Sequence, residues 1–147
     1  MKPIRNLAEL ARRLGEARIF APLSDDGTLL RFATRFGADA PMVVHWEPGA
    51  WLIRLAQILP VSAADARAIA GAEALLRLHR ESDLVRVVHD DDDDTVLLRT
   101  QVYATADGLD YDTFERVVAA SVDEADQCLA LLGAAPQHTD AFAYYAD

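Results

Sequence analysis

The residues with the clearest capacity for chemistry form a run of five carboxylates, Asp90 to Asp94. Carboxylates in series can ligate calcium, but an EF-hand loop requires glycine at its sixth position and glutamate at its twelfth. Counted from Asp90, those positions hold Thr95 and Gln101, so the EF-hand motif is absent. Three interpretations stay open for the run: a solvated turn, an incidental cation site, or an electrostatic attractant for a basic partner.

The other nucleophilic and metal-ligating residue types form no recognisable motif. The four histidines are scattered, without the spacing that places two imidazoles on one metal ion. The single cysteine, Cys128, lies beside the apolar stripe of a predicted helix, where a thiol acts as a small hydrophobic side chain. The seven glycines form neither a P-loop nor a dinucleotide-binding turn. We therefore predict no catalytic residue, no cofactor and no metal site, and a protein that is not an enzyme.

Composition limits the classes of partner. The chain has 147 residues, of which 52% are apolar, enough for the core of one domain. A net charge of −10 disfavours direct binding to nucleic acid or to an anionic membrane. The charge is uneven, because residues 1–80 carry +3 and residues 81–147 carry −13. No apolar run approaches the roughly 20 residues that cross a bilayer. The chain also has only one cysteine, so it can form no intrachain disulfide, and nothing points to an oxidising compartment. We therefore expect a cytoplasmic protein.

Hydrophobic periodicity predicts an α+β fold with an antiparallel β-sheet and the order α-β-β-β-α-β-β-α. Helical spacing covers residues 3–19, 63–80 and a last helix that starts near Asp110 or Asp112 and ends at Leu132. Strand alternation covers 28–36, 42–47, 50–59, 84–88 and 95–104. Gly37 to Pro41 is expected to separate the first two strands, and Pro60 to close the third. We expect residues 1–133 to form one α+β domain, and 134–147 an aromatic tail that either docks or is disordered.

Two strand patterns carry the packing argument. In the first strand, Leu30 and Phe32 share one side, with Arg31 and Arg35 on the other. In the third strand, Trp51, Ile53 and Leu55 share one apolar face, while Leu52, Ala56 and Ile58 lie on the other with Arg54 between them. Because the helices of a short chain can cover one face, the second face would need a partner subunit, and we expect a homodimer. The candidate partner-binding residues are Asp90, Asp91, Asp92, Asp93, Asp94, Trp51, Ile53 and Leu55.

Several local strings resemble one family. The string ALLRLHR at residues 74–80 precedes a predicted strand and the acidic turn, and VLLR follows at 96–99. The string GLDYDTF at 108–114 then opens the last predicted helix. Together with the element order, these strings resemble the YbjN-like proteins, whose fold is similar to that of class I type III secretion chaperones. His79 departs from the pattern, since many relatives have asparagine there.

The resemblance implies a type III secretion chaperone-like fold and a small acidic homodimer that binds another protein without an active site. YbjN-like proteins are associated with regulation and stress responses, and secretion chaperones bind an extended segment of a client. The predicted function is therefore a non-catalytic homodimeric protein-binding module, chaperone-like or regulatory, whose client is basic or partly unfolded. Two alternatives stay open: a dedicated secretion chaperone for one effector, and an acidic decoy that occupies a basic nucleic-acid-binding protein.

Overall fold

The computed structural model describes residues 2–62, 86–90 and 95–131. In this part of the chain the elements are α1 (Leu7–Glu16), β1 (Leu29–Thr34), β2 (Gly37–His45), β3 (Leu52–Ser62), β4 (Arg86–Asp90), β5 (Thr95–Tyr103) and α2 (Tyr111–Leu131). All strand pairs are antiparallel, and the sheet order is β1-β2-β3-β5-β4. The predicted α+β fold is thus confirmed. The predicted helix at 63–80, the predicted tail at 134–147 and the predicted domain boundary after residue 133 lie outside the described residues.

The core lies between one face of the sheet and the two described helices. Alternate strand residues are buried on this face, as the period of two requires. They are Leu30, Phe32, Met42, Val44, Ile53, Leu55, Leu59, Val96, Leu98 and Val102. From the helices, α1 contributes Leu7, Leu10 and Leu14, and α2 contributes Phe114, Val118, Val122, Ala125 and Leu129. No helix in the described ranges is long and apolar enough to cross a membrane.

Helix α1 begins later than its periodicity predicts because the chain before it is extended. The Ile4 backbone N–H donates to the Leu109 carbonyl at 2.8 Å, and the Leu109 N–H donates back at 2.6 Å. Asn6 then caps the helix, its side-chain oxygen accepting from the Glu9 N–H at 2.9 Å. Gly108, at φ +124°, lets this bridge form, because a Cβ there would lie 2.5 Å from the Ile4 carbonyl oxygen.

Strands β2 and β3 are longer than predicted, and each contains a proline. The expected break from Gly37 to Pro41 is wrong, since β2 starts at Gly37 directly after a two-residue turn. Pro60 does not close β3 either, because the strand continues to Ser62. Both prolines avoid regular pairing, since the β2–β3 register begins at Met42 and the β3–β5 register shifts between Ile58 and Ser62. A missing N–H is tolerated at such irregularities.

Candidate functional site

An apolar groove of about 550 Å³ lies between the end of α1 and the first half of α2. Its apolar lining includes Leu14, Ile19, Phe32, Phe114, Val118 and Val122, with Tyr111 and Ala119 completing the α2 side. Glu115, Arg116 and Asp123 place charges along the same helix. The volume falls within the range of about 300–1,000 Å³ that is typical of ligand sites.

The groove's α1 wall depends on the way the helix ends. The Ile19 N–H donates to the Leu14 carbonyl at 2.9 Å, and the Arg18 N–H donates to the Gly15 carbonyl at 3.0 Å. This is a Schellman motif, with Arg18 in the left-handed region at φ 64°. The motif folds Ile19 back against Leu14, so both side chains line the groove. Phe20, the next residue, is 85% exposed, so apolar surface continues beyond the groove.

The groove's α2 wall is a stripe at helical spacing. Phe114, Val118 and Val122 are four residues apart, so they share one face of the helix. Asp110 starts the helix, and its carboxylate accepts from the Thr113 N–H at 3.1 Å and the Thr113 hydroxyl at 2.7 Å. These hydrogen bonds lower the pKa of Asp110. The cap therefore fixes where the stripe begins.

Tyr111 closes the groove between the two helices. The Arg13 guanidinium lies 4.8 Å from the centre of the Tyr111 ring, a cation–π contact that joins α1 to α2. Burial, followed by the charge of Glu115, raises the pKa of Tyr111 to about 12. The phenol is therefore neutral at physiological pH, and the charges at this end of the groove are those of Arg13 and Glu115.

A buried arginine holds α2 against the β1–β2 turn. The Arg35 guanidinium pairs with the Asp126 carboxylate, lies 3.6 Å from an Asp123 oxygen, and donates to the Val122 carbonyl at 3.3 Å. Its side chain is only 9% exposed. Arg35 was expected on the opposite side of β1 from Leu30 and Phe32, and the structure corrects this. The residue lies in the turn after the strand, where alternation no longer applies.

Cys128, as predicted, lies in the core rather than in an open site, at 3% exposure. Burial, with a smaller effect from the charge of Glu124, raises the pKa of its thiol to about 11. A nucleophilic thiol requires a lowered pKa, so this environment opposes thiolate chemistry. Within the described residues, no group of three or more histidine, cysteine, aspartate or glutamate side chains is placed to hold a metal ion.

The predicted partner-binding residues do not form one surface. Ile53 and Leu55 are 0% and 1% exposed, packed in the core beneath the chain's own helices. This burial leaves the two side chains little surface for a partner, and their part in partner binding stays a prediction. Trp51, just before β3, is 72% exposed. Asp90 ends β4, and Asp91, Asp92, Asp93 and Asp94 lie outside the described residues.

Sequence reasoning missed the groove. Its α2 stripe was recognised as apolar, but a stripe at helical spacing is ordinarily filled by packing against the sheet. The groove lies beside the point where α1 ends at Glu16, and Leu14 and Ile19 line it opposite the first turns of α2. The sequence did not signal this early end, because Arg18 occupies the left-handed position that glycine or asparagine usually holds in a Schellman motif.

Comparison with known proteins identifies the fold. No protein-family model matches the chain, and no curated protein matches it by sequence. The crystal structure of YbjN from E. coli, a candidate transcription regulator, is similar with a TM-score of 0.59 at 14% identity, over 84% of this chain and 87% of that chain. A chain of the ExsC-ExsE complex has a TM-score of 0.46 at 19% identity, over 86% of this chain and 90% of that chain. At such identities the similarity concerns the fold alone, and the chain has the YbjN-like α+β fold that its sequence resemblance predicts.

Proposed function

We propose that this chain is a non-catalytic protein-binding module that holds an extended apolar segment of a client in the groove between α1 and α2. The observation that carries the proposal is the groove itself, an open apolar channel of about 550 Å³ with Phe20 exposed beside it. A concave, apolar-lined cavity with a few charged groups along it is the usual form of a binding site. Its walls are two helices fixed by caps and by Arg35, so the site is preformed and binding costs it little conformational entropy.

The net charge of the chain, rather than the groove lining, favours a basic client. Glu115, Asp123 and Arg116 line the groove, and Asp123 lies 3.6 Å from the Arg35 guanidinium, so the charges of the lining are nearly balanced. The chain as a whole carries −10, which favours a segment whose apolar residues are bordered by lysine or arginine. The proposed client is therefore a basic or partly unfolded protein, and salt should weaken the complex.

We also propose that the protein is a homodimer in the cytoplasm and acts as a chaperone-like or regulatory adaptor. β4 is the last strand of the sheet and pairs only with β5 among the described strands. An edge strand offers unpaired backbone groups, so antiparallel pairing of β4 with β4 of a second copy would continue the sheet. Light scattering at high micromolar concentration should give twice the chain mass of 16.1 kDa. A monomer under these conditions would contradict the dimer.

The groove is tested by one substitution and its matched control on the same helix. Ala119 lines the groove and is exposed, so Ala119→Lys brings an ammonium group into the apolar channel with little strain. Ala130 is also exposed on α2 but lies away from the groove, so Ala130→Lys changes the net charge equally. The probe is lysozyme that has been reduced and carbamidomethylated, an unfolded basic protein.

Binding is measured by biolayer interferometry, with thermal unfolding of each variant as a check on folding. We expect Ala119→Lys to weaken binding about tenfold, equivalent to about 1.4 kcal/mol, and Ala130→Lys to change it less than about twofold. Equal binding by the two variants would show that the groove does not hold the client.

A further inference from the structure

The sheet face turned away from α1 and α2, which we call the outer face, is cationic in an otherwise acidic protein. It consists of the alternate residues of β1, β2, β3 and β5 that point away from the core. Arg31 on β1, Arg54 on β3 and Arg99 on β5 are all exposed there. The net charge of the chain is −10, so three arginines on one face are a local reversal of its average charge.

The pairing register places these arginines around an apolar centre. Arg31 lies opposite Val43, Val43 opposite Ala56, and Ala56 opposite Arg99, which makes one row across four strands. Three strand spacings separate the two ends of the row by about 14 Å. Arg54 lies two residues from Ala56 along β3, a separation of about 7 Å. The three guanidinium groups thus border a floor made by Val43 and Ala56, both of which are half-buried.

The guanidinium groups have no acidic partner in the described part of the chain. The ion pairs found there involve Arg13, Arg35 and His45, and none involves the three outer-face arginines. In the β3 and β5 segments beside them, residues 52–58 and 97–103, there is no aspartate or glutamate, and the nearest acidic residues along the β2 segment, Asp39 and Glu47, each lie four positions from Val43. Uncompensated arginines beside apolar surface are suited to binding carboxylates.

Exposed apolar side chains extend the same face toward one end of the sheet. Leu29 is 41% exposed and Tyr103 is 64% exposed, although both belong to strands. Tyrosine and arginine are the residue types most enriched at protein interaction sites. The outer face therefore combines ionic and apolar contacts within one surface.

The charges on the outer face distinguish between the three kinds of partner that could bind it. A second copy stacked through the same face would bring three arginines against three arginines across the two-fold axis, which is repulsive. A nucleic acid is a dense polyanion and would be repelled by a protein of net charge −10. A short protein segment with a few carboxylates meets neither obstacle. In an extended segment, carboxylates four residues apart lie about 13 Å from each other, close to the Arg31–Arg99 separation.

We propose that the outer face binds an acidic, extended protein segment, with carboxylates on Arg31, Arg54 and Arg99 and apolar side chains on Val43 and Ala56. This site is separate from the groove, and its partner has the opposite charge to the groove's client. One molecule thereby joins a basic partner on its helical side to an acidic one on its sheet side. The two sites are tested by different probes, so either one can fail alone.

The test compares two triple substitutions of equal charge. Arg31→Glu, Arg54→Glu and Arg99→Glu reverse the outer face, while Lys2→Glu, Arg5→Glu and Arg12→Glu reverse exposed cations before and on α1. The probes are fluorescein-labelled peptides of five Glu-Val or five Lys-Val repeats, and a labelled 12-nucleotide oligo(dT). Binding is followed by fluorescence anisotropy at low ionic strength. The corresponding triple glutamine variant of the outer face replaces the glutamate one if the latter does not fold.

We expect the Glu-Val peptide to bind the unmodified protein, to lose at least about tenfold in affinity on the outer-face variant, and to lose less than about twofold on the α1 variant. The Lys-Val peptide should not depend on the outer face. Equal losses in the two variants, or no binding of the Glu-Val peptide, would overturn the proposal. So would oligo(dT) binding that depends on the outer face more strongly than peptide binding does, or self-association that the outer-face variant alone abolishes.

Discussion

Replacing Arg35 with methionine should destabilise the protein far more than the same change at Arg31, four residues earlier. Methionine keeps an unbranched stem of similar packing but removes the guanidinium. Arg35→Met therefore removes the charge that neutralises Asp126 and the donor to the Val122 carbonyl. Arg31, in contrast, is exposed and makes no ion pair with another described residue. The strand alternation places both arginines on the same side and so predicts equal effects of the two substitutions. The structure predicts a larger effect at position 35.

The magnitude follows from the exposure of the three charged groups. Removing one partner from a fully buried ion pair costs about 3–5 kcal/mol, while exposed pairs contribute about 0.2–1 kcal/mol. The Arg35 side chain is 9% exposed, but Asp126 is 31% and Asp123 is 72% exposed. Water therefore solvates both carboxylates when the guanidinium is removed, which lowers the cost in free energy of unfolding. We expect Arg35→Met to lower the free energy of unfolding by about 2–3 kcal/mol. Arg31→Met should change it by less than about 0.5 kcal/mol.

The assay is guanidinium chloride unfolding of both variants, followed by circular dichroism. A double-mutant cycle with Asp126→Asn should return a coupling free energy of about 1–2 kcal/mol, since the two side chains are in contact. If Arg35→Met and Arg31→Met have equal effects, or if the cycle gives no coupling, then Arg35 does not hold α2 to the β1–β2 turn.

Three further predictions concern backbone strain and titration. Arg18→Gly should raise the free energy of unfolding by about 0.5–1 kcal/mol in chemical denaturation, since Arg18 has a positive φ that glycine adopts without strain. No gain would argue against the Schellman end of α1. Gly108→Ala should lower it by about 2 kcal/mol, because the added Cβ would meet the Ile4 carbonyl; an unchanged denaturation midpoint would contradict the Ile4–Leu109 bridge. The pKa values of Cys128 and Tyr111 are raised to about 11 and about 12, so folding favours their neutral forms. The stability that they contribute is present below pH 9.0 and is lost as the pH rises toward these values. Unfolding from pH 8 to 11 should therefore show a decline above pH 9 that Cys128→Ala reduces, and a flat profile would contradict their burial.

The alternation of apolar residues predicted which side chains face the core. Leu30 and Phe32 are 1% and 3% exposed, and Met42 and Val44 are both fully buried, as the period of two requires. Local patterns suffice here because a strand that is covered on one face repeats every second residue. The order of the described elements and the α+β fold class were predictable for the same reason.

The errors come from contacts between residues distant in the sequence. Ile4 has the spacing of a helix residue, yet its backbone pairs with Leu109. Arg35 has the spacing of a solvent-facing residue, yet its partners lie on α2, 87 positions away in the case of Val122. The burial of Ile53 and Leu55 beneath the helices was not predictable either, because the pattern shows that β3 is apolar on both faces but not which face the helices cover. The charge of the outer face was hidden for a related reason, since its arginines belong to three different strands.

The most direct test of the central claim is to map where an unfolded client contacts the protein. Protein labelled with ¹⁵N is titrated with reduced, carbamidomethylated lysozyme, and backbone amide shifts are followed by NMR. We predict that the largest changes occur at Leu14, Ile19, Val118 and Ala119, with Val43 and Ala56 of the outer face unchanged. Changes centred on the outer face, or no site-specific changes at a saturating concentration of client, would contradict the assignment of the α1–α2 groove as the client site.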